Sequence, residues 1–462
     1  MDKLLTKKNL ISLLAVLMTA VLVLTLFVFR LGIADNGSLS SQLEETGFYG
    51  ANAGTGSGYF SDAFGVADTK LSFKTYSLAY EIFKFVGKDN IVYVYFPALI
   101  YALVFIGAVL LLGFVVIGGK NKWSDLICVI LFVLVLCDSG YTMLFNTPYK
   151  EASFIVYLIA TVSAYVYSRQ TGKLWCSILF VLFGILLGGV STIGAITAII
   201  LGLCGVISTS EKRILNVFLA GIIVVCGAVN VFPKDFNAYD SFFFGVTVEN
   251  PYGADNIAIP DADAEQILED FGVDQKLLER VGTSTYTTFQ IFPEISVDFA
   301  DVFSYYVKNP KKLLEKMEIV ARNSTTIRTG YLSNYLPSTG KAFGQTIWFS
   351  GYSFIKKMIV PASYVTLMVI LAILVVLSLI YKKNYAKLGG EKAISDMGVA
   401  MGISSILTMP LPLMLYGFTQ LNFNMLSFNF MFDVSLVLLV IIALKFFAAK
   451  RNLLKEKYGV NQ

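Results

Sequence analysis

The sequence predicts an all-α polytopic membrane protein with about ten transmembrane helices and two long polar segments on its outer face. Three observations predict this fold class. Of the 462 residues, 56% are hydrophobic and only 15% are charged, which is more apolar surface than a water-facing fold hides. The apolar residues form ten long stretches, each interpreted as a helix of about 20 residues that crosses about 30 Å of hydrocarbon. Lys and Arg fall in every second segment between them.

The ten stretches are expected near residues 10–33, 92–117, 124–145, 152–168, 175–190, 192–208, 215–232, 359–381, 396–418 and 429–448. They divide the chain into a first helix (1–34), a first outer loop with interfacial helices (35–91), helices two to seven (92–232), a large outer loop domain (233–358), and helices eight to ten with a cytoplasmic tail (359–462). The first stretch is long and lacks a clear small-residue cleavage site, so it is expected to be a retained anchor.

The basic residues predict the orientation. By the positive-inside rule, the segments rich in Lys and Arg face the cytoplasm. These segments carry Lys3, Lys7, Lys8, Lys120, Lys122, Arg169, Lys173, Lys212, Arg213, Lys382, Lys383, Lys387, Lys450, Arg451, Lys455 and Lys457. Both termini are therefore expected in the cytoplasm, and segments 35–90 and 233–358 outside the plasma membrane.

Composition also limits the chemistry. Histidine is absent, so any catalysis must rest on Asp, Glu, Lys, Arg or Tyr. The five cysteines fall in or beside apolar stretches without CxxC spacing, which predicts neither disulfides nor a metal site. The net charge of +4 is small and its excess lies in short loops, so no nucleic-acid partner is expected.

Both outer segments show helical patterns. Residues 68–88 alternate apolar and charged positions at helical spacing, which predicts an amphipathic helix along the outer membrane surface. Two short helices are expected at 263–271 and 275–280. Asn309-Pro310 begins a stronger helix, because Asn suits the N-cap and Pro the first helical position.

Ionisable groups at membrane depth are costly and suggest function. Four carboxylates lie at or near the outer ends of the predicted helices, and Arg30 precedes the first of them; the carboxylates are Asp35, Asp138, Glu151 and Asp433. Each also has a structural interpretation: a loop cap for Asp35, a helix-dipole charge for Glu151, an interhelical hydrogen bond for Asp433 and snorkelling for Arg30. Lys356 and Lys357, just before the eighth stretch, are expected to contact anionic lipid.

Several motifs resemble one family. They are Ile33-Ala34-Asp35-Asn36-Gly37, Leu144-Phe145-Asn146-Thr147-Pro148-Tyr149-Lys150-Glu151-Ala152, Phe243-Phe244-Gly245-Val246, Val281-Gly282-Thr283-Ser284, the run from Tyr305 to Pro310 and on through Arg328-Thr329-Gly330-Tyr331-Leu332-Ser333-Asn334-Tyr335, and Phe428-Asn429-Phe430-Met431-Phe432-Asp433. In colinear order they resemble bacterial GT-C-superfamily glycosyltransferases, specifically the WsfD-like hexosyltransferases of S-layer and surface glycans. That family often has a His before the last motif, and this chain has none. Any role of that His is either dispensable here or taken by another group such as Asn424.

The resemblance implies a GT-C-like fold and transfer of a hexose from a polyprenyl-phosphate donor to a glycan acceptor. It assigns Asp35 as base and Glu151 as a second carboxylate. Arg328 is the leading donor-phosphate partner, with Arg30 behind it. The remaining cavity candidates are Asp138, Asn146, Tyr149, Tyr331, Asn334 and Asp433. No residue is assigned as a metal ligand, and the resemblance does not decide whether the reaction uses a divalent cation.

Two other classes remain. A surface-polysaccharide flippase or polymerase would share many transmembrane helices, but it should carry charges inside several of them. A non-catalytic glycan-assembly protein would tolerate loss of Asp35 and Glu151. The expected partners are membrane lipid, a polyprenyl-phosphate-linked sugar and a glycan acceptor.

Overall fold

The computed structural model describes residues 6–33, 48–50, 63–66, 91–118, 122–207, 213–233, 236–250, 259–260, 262–271, 296–328, 335–341 and 344–458. The predicted amphipathic helix at 68–88 and the short helix at 275–280 lie outside these residues. The helix expected at 263–271 is present as Ala264–Asp270.

The α-helices of the described part, in chain order, are α1 (Lys7–Val23), α2 (Tyr95–Val116), α3 (Lys122–Leu131), α4 (Ser139–Thr142), α5 (Lys150–Thr171), α6 (Leu174–Val190), α7 (Thr192–Ile207), α8 (Arg213–Val229), α9 (Ala238–Ser241), α10 (Ala264–Asp270), α11 (Phe299–Lys308), α12 (Pro310–Ser324), α13 (Gly351–Ile359), α14 (Tyr364–Asn384), α15 (Gly389–Thr408), α16 (Leu411–Tyr416), α17 (Leu421–Asn424) and α18 (Leu426–Tyr458). Single π-helical turns extend α1, α3 and α9, at Leu24–Val28, Phe132–Leu136 and Phe242–Val246.

The helices confirm an all-α polytopic membrane protein. Six described helices are long and apolar enough to cross a membrane, or seven if the bent pair Lys122–Leu136 and Ser139–Asn146 is one span. Three shorter apolar helices complete the ten predicted stretches: Leu174–Val190, Thr192–Ile207 and Val217–Val229.

Two predicted stretches are not continuous. The third bends by 46° between Leu136 and Ser139. In the ninth, α15 ends at Thr408, just before Met409-Pro410, and α16 follows. Proline disfavours helical geometry in the residue before it and lacks an amide hydrogen, which accounts for the second break.

Two helices form the centre of the bundle. Helix α5 is buried along almost its whole length and contacts α2, α6 and α15. Helix α15 also contacts α7, α14 and α18. A side chain at Gly398 or Gly402 of α15 would collide with Ser378 or Val375 of α14, so this Gly-x-x-x-Gly spacing allows the two helices to approach closely.

The helix ends group at two ends of the bundle. At one end, which we call the basic end, Lys7 donates to the Phe114 carbonyl at 2.7 Å, and the Gly390 amide donates to Gln170 Oε1 at 3.1 Å. At the other, which we call the loop end, Asn146 donates to the Leu31 carbonyl at 2.8 Å. The first three spans therefore run in alternating directions.

Small sheets accompany the loop segments, and the sequence analysis did not anticipate them. Strands β1 (Phe48–Gly50), β2 (Ala63–Val66) and β3 (Ile91–Tyr93) form an antiparallel sheet in the order β1-β2-β3. Strands β4 (Val248–Asn250) and β5 (Ile259–Pro260) form an antiparallel pair. Strands this short pair across long loops, so local sequence patterns signal them weakly.

The second loop segment packs onto the loop end of the bundle. Lys316 of α12 is buried, and its ammonium donates to the Gly245 and Val246 carbonyls at 2.6 and 2.8 Å. Glu318 of the same helix accepts from the Tyr364 amide at 3.0 Å, which satisfies a free backbone donor at the start of α14. Helix α12 begins at Asn309-Pro310, as predicted.

Gly417 shows why the sequence needs glycine where α9 meets α16. Its φ is +58°, in the left-handed region, and a side chain there would overlap the Asp240 and Phe244 carbonyls. The Phe418 amide then donates to the Phe244 carbonyl at 2.7 Å. This contact helps to hold the loop segment on the bundle.

Candidate functional site

The break in the third apolar stretch places a carboxylate inside the protein at the loop end. Asp138 is fully buried and caps α4 by accepting from the Gly140 amide at 2.8 Å. Interrupted helices are tolerated at membrane depth where protein covers them and the released backbone groups find partners. The Ser139 amide finds one in the Phe349 carbonyl, at 2.9 Å.

Asp138 connects the break to α13. Its carboxylate accepts from the Ser353 hydroxyl at 2.6 Å and from the Ser353 amide at 2.9 Å. With the Gly140 amide, three donors satisfy one carboxylate. Asp138 therefore fixes α13 against the span that contains the break, and its hydrogen-bonding capacity is largely used by the protein.

A second buried carboxylate lies on α18. Asp433 forms an ion pair with Lys356 of α13, with Nζ and Oδ1 2.8 Å apart, and both side chains are 0% exposed. The Tyr141 hydroxyl donates to the other carboxylate oxygen at 2.5 Å, and Lys356 also lies over the Phe432 ring. A fully buried charge pair needs such additional partners to offset its desolvation. We call Asp138, Tyr141, Ser353, Lys356 and Asp433 the polar cluster.

Arg328 lies beside the polar cluster. A side chain at Gly140 would come within 3.0 Å of Arg328 Cγ, so the absence of one lets the arginine approach α4. Burial lowers the pKa of Arg328, while the nearby charge of Asp138 and the Tyr335 hydroxyl oppose that shift. Asn429 of α18 holds the same segment by donating to the Thr326 carbonyl at 2.9 Å.

Two cations interact with Tyr335, and a third lies on the backbone segment that pairs with it. Arg328 interacts with it electrostatically, and the ammonium of Lys341 lies 4.8 Å from its ring centroid. Leu31 forms an antiparallel bridge with Tyr335, which brings Arg30 to the same place. The Arg30 carbonyl accepts from the Leu336 amide at 2.9 Å, and its guanidinium donates to Ser338 at 3.4 Å. The end of the first span and the segment after Arg328 thus form one cationic rim.

Other candidates occupy different positions at the loop end. Asn146 is buried and donates to the Leu26 and Leu31 carbonyls at 2.9 and 2.8 Å, which secures the end of the first span. The Tyr149 ring packs on Phe423, with centroids 4.7 Å apart. Glu151 is 4% exposed in the first turn of α5, a helix that contributes no residue to the polar cluster.

Asp35, Tyr331 and Asn334 lie outside the described residues. Ile33, the last described residue before the first gap, is buried at the loop end. Among the described residues, no three His, Cys, Asp or Glu side chains group as a metal site. Asn424 donates to the Thr419 carbonyl at 2.9 Å.

The sequence analysis missed Tyr141, Ser353, Lys356 and Lys341. The expectation that Lys356 contacts lipid is wrong: its side chain is buried, because Asp433 supplies a counter-charge from α18. A signal existed, since Tyr352, Ser353 and Lys356 share one face of a helix whose other positions include Phe354, Ile355 and Met358. Lys357 is exposed.

The fold and the polar cluster define a polytopic helical membrane domain with a buried charged junction at one end. The chain belongs to the YfdI N-terminal transmembrane domain family, whose model matches residues 1–461. This is a GT-C-like family of membrane glycosyltransferases. No curated protein and no solved structure matches the chain.

Proposed function

We propose that this protein is a membrane glycosyltransferase that moves a hexose from a polyprenyl-phosphate donor to a cell-surface glycan at the outer face of the plasma membrane. Membership of the YfdI family over residues 1–461 is the observation that carries the proposal. The motifs that resemble WsfD-like enzymes narrow the proposed activity to transfer of a hexose onto a surface glycan. The basic end then faces the cytoplasm, and the loop end faces outward, where flipped lipid-linked sugars are consumed.

The cationic rim supports a phosphate-linked donor. Arg328 and Lys341 interact with Tyr335 at the loop end, and Arg30 lies on the segment that pairs with Tyr335, with its guanidinium on Ser338. A departing phosphate carries negative charge, and fixed cations stabilise that charge as it develops. Arginine presents a planar fork of donors that matches phosphate oxygens, so Arg328 is the leading partner, with Arg30 behind it.

The proposed reaction uses carboxylates in place of the absent histidine. Asp35 takes the proton from an acceptor hydroxyl as that oxygen bonds to the anomeric carbon of the sugar. The bond from that carbon to the phosphate oxygen breaks, and polyprenyl phosphate leaves with the electron pair. Asp35 follows Ile33, which is buried at the loop end, by two residues in the sequence. Glu151 is the second carboxylate. The sequence neither requires a divalent cation for this reaction nor excludes one.

The polar cluster has a positioning role in this proposal. The carboxylates of Asp138 and Asp433 accept from groups of the protein, which makes them poor candidates for the base. They hold α13, α4 and the Arg328 segment together. Asn146 and Tyr149 secure the neighbouring ends of the first span and α5.

The experiment measures consumption of a radiolabelled polyprenyl-phosphate hexose by the purified protein in proteoliposomes. A panel of donor sugars is offered with bacterial surface-glycan fragments, and lipid and glycan products are separated. Asp35→Asn should abolish transfer while thermal stability stays at the wild-type level, because the amide keeps the shape but cannot accept the proton. Exposed Glu315→Gln is the matched control.

The outcomes separate the three functional classes. A glycosyltransferase releases polyprenyl phosphate and labels the glycan. A flippase moves intact donor between leaflets without breaking the sugar–phosphate bond, and a non-catalytic assembly protein does neither. Wild-type turnover by Asp35→Asn would remove Asp35 as the base. Translocation without cleavage would overturn the glycosyltransferase proposal.

A further inference from the structure

Helix α13 has two faces of opposite character. One face carries Tyr352, Ser353 and Lys356 toward the bundle, where Ser353 and Lys356 join the polar cluster. The other face is apolar and exposed: Phe354, Ile355, Met358 and Ile359 are exposed to 68%, 48%, 71% and 71%. An amphipathic helix this short buries its apolar stripe in a protein core or in the membrane interface.

The polar cluster fixes which way α13 faces. Asp138 accepts from both the amide and the hydroxyl of Ser353, and Lys356 pairs with Asp433 at 2.8 Å. These partners lie on two different spans, so rotating α13 to bury its apolar residues would break both connections. The apolar face is therefore held outward by the buried charges of the opposite face.

The surroundings of α13 identify what covers this face. Four residues separate α13 from α14, a candidate membrane span whose exposed residues include Val365, Val369, Ile373 and Val376, as expected of a helix that faces hydrocarbon. Trp348 and Phe349 precede α13, and aromatic residues favour the membrane–water boundary. Lys357 is exposed on the flank of the apolar face, where a cation meets lipid phosphates.

We propose that α13 is an interfacial helix that lies in the leaflet at the loop end, with Phe354, Ile355, Met358 and Ile359 among the upper parts of the acyl chains. The partner of this surface is bilayer lipid. Lipid then holds the outer face of α13 while Asp138 and Asp433 hold its inner face, so the membrane helps to position the polar cluster. This inference does not depend on the glycosyltransferase proposal.

The test uses single tryptophan reporters in proteoliposomes. Trp123, Trp175 and Trp348 are replaced by Phe, and Phe354→Trp or Met358→Trp is introduced. The quenchers are phosphatidylcholine brominated high in the acyl chain, phosphatidylcholine brominated near the methyl end, and aqueous acrylamide. Lys311→Trp on α12 is the matched control, because the Lys311 side chain is 91% exposed on a polar helix face.

Both α13 reporters should be quenched severalfold more by the upper bromines than by the lower ones, and acrylamide should affect them weakly. Lys311→Trp should be quenched strongly by acrylamide and only weakly by either brominated lipid. Acrylamide quenching of the α13 reporters at the control level would overturn the proposal, since the face would then lie in water. Resistance to all three quenchers would also overturn it, because protein would then cover the face.

A second measurement avoids substitutions altogether. The wild-type chain is reconstituted with a phospholipid that carries a diazirine high in its acyl chain, irradiated and digested. Adducts should appear in the peptide that contains Phe354 to Ile359 and be absent from the peptide around Lys311. Adducts on α14 without adducts on α13 would contradict the interfacial placement.

Discussion

The buried ion pair between Lys356 and Asp433 leads to a sharp prediction. Lys356→Met removes the cation but keeps much of the side-chain volume, which leaves the Asp433 charge in a fully buried position. Asp433→Asn removes the opposite charge and keeps an oxygen that can accept from Tyr141. The double variant removes both charges. We expect each single variant to be much less stable than the double variant.

The magnitude follows from what Asp433 retains. Breaking a buried ion pair by removing one partner costs about 3–5 kcal/mol, because the remaining charge loses its compensation. The Tyr141 hydrogen bond at 2.5 Å persists in Lys356→Met and supports the lone carboxylate. We therefore expect a loss of about 3 kcal/mol for this variant, at the lower end of that range. The double variant should lie within about 1 kcal/mol of wild type, since apolar replacement of a whole pair is often neutral.

Reversible unfolding by titration of mixed micelles with sodium dodecyl sulfate gives the free energies. A thiol-reactive fluorogenic dye reports unfolding independently, because Cys128, Cys137 and Cys176 are buried in the folded protein. Lys311→Met, at an exposed position, is the control and should change little. Additive losses in the double variant, or an unchanged Lys356→Met protein, would refute a stabilising role for this pair.

The remaining predictions concern donor binding, pH and orientation. Arg328→Lys should weaken donor use partly and Arg328→Ala severely. The measurement is the KM for the donor together with thermal stability, and exposed Arg322→Ala is the control. Unchanged kinetics in a folded Arg328→Ala protein would remove Arg328 from the phosphate site. Burial raises the pKa of Asp240 to about 6, so its contribution to stability is fully present below about pH 4 and is lost as pH rises through 6. The midpoint temperature of wild type relative to Asp240→Asn should therefore fall between about pH 4 and pH 6, and a pH-independent difference would contradict this. A single cysteine at Lys387, in a chain cleared of native cysteines, should react with impermeant reagents only from the cytoplasmic side; labelling only from outside would invert the orientation.

Local sequence predicted the parts of this fold that depend on local physics. The ten apolar stretches appear as helices because continuous hydrophobicity needs no partner to be recognised. Helix α12 starts at Pro310, because its fixed φ suits the first helical position, while the Asn309 side chain donates to the Tyr305 carbonyl of the preceding helix and makes no capping hydrogen bond. The break at Asp138 could not be predicted in the same way, since residues 132–137 are as apolar as their neighbours. What interrupts the stretch is Asp138 itself, which caps α4 and accepts hydrogen bonds from Ser353, a residue far away in the chain.

The same reasoning explains which site residues were found. Asp138 and Asp433 stood out because a carboxylate in an apolar stretch is costly wherever it lies. Lys356 did not stand out, because a lysine just before a membrane span can place its ammonium among the lipid headgroups at little energetic cost. Only α18, which brings Asp433 to within 2.8 Å, makes burial of that lysine favourable. Pairing of this kind depends on the register between distant helices, which no local pattern encodes.

The closing Phe-Asn-x-x-Phe-Asp motif acquires a physical meaning from these contacts. Asn429 holds the Thr326 carbonyl, two residues before Arg328, while Phe430 packs edge-on against Tyr141 at 5.0 Å. Phe432 lies beneath the Lys356 ammonium, and Asp433 pairs with it. One turn and a half of α18 therefore positions both the Arg328 segment and α13. A motif can thus resemble an active-site signature through residues that position other segments of the protein.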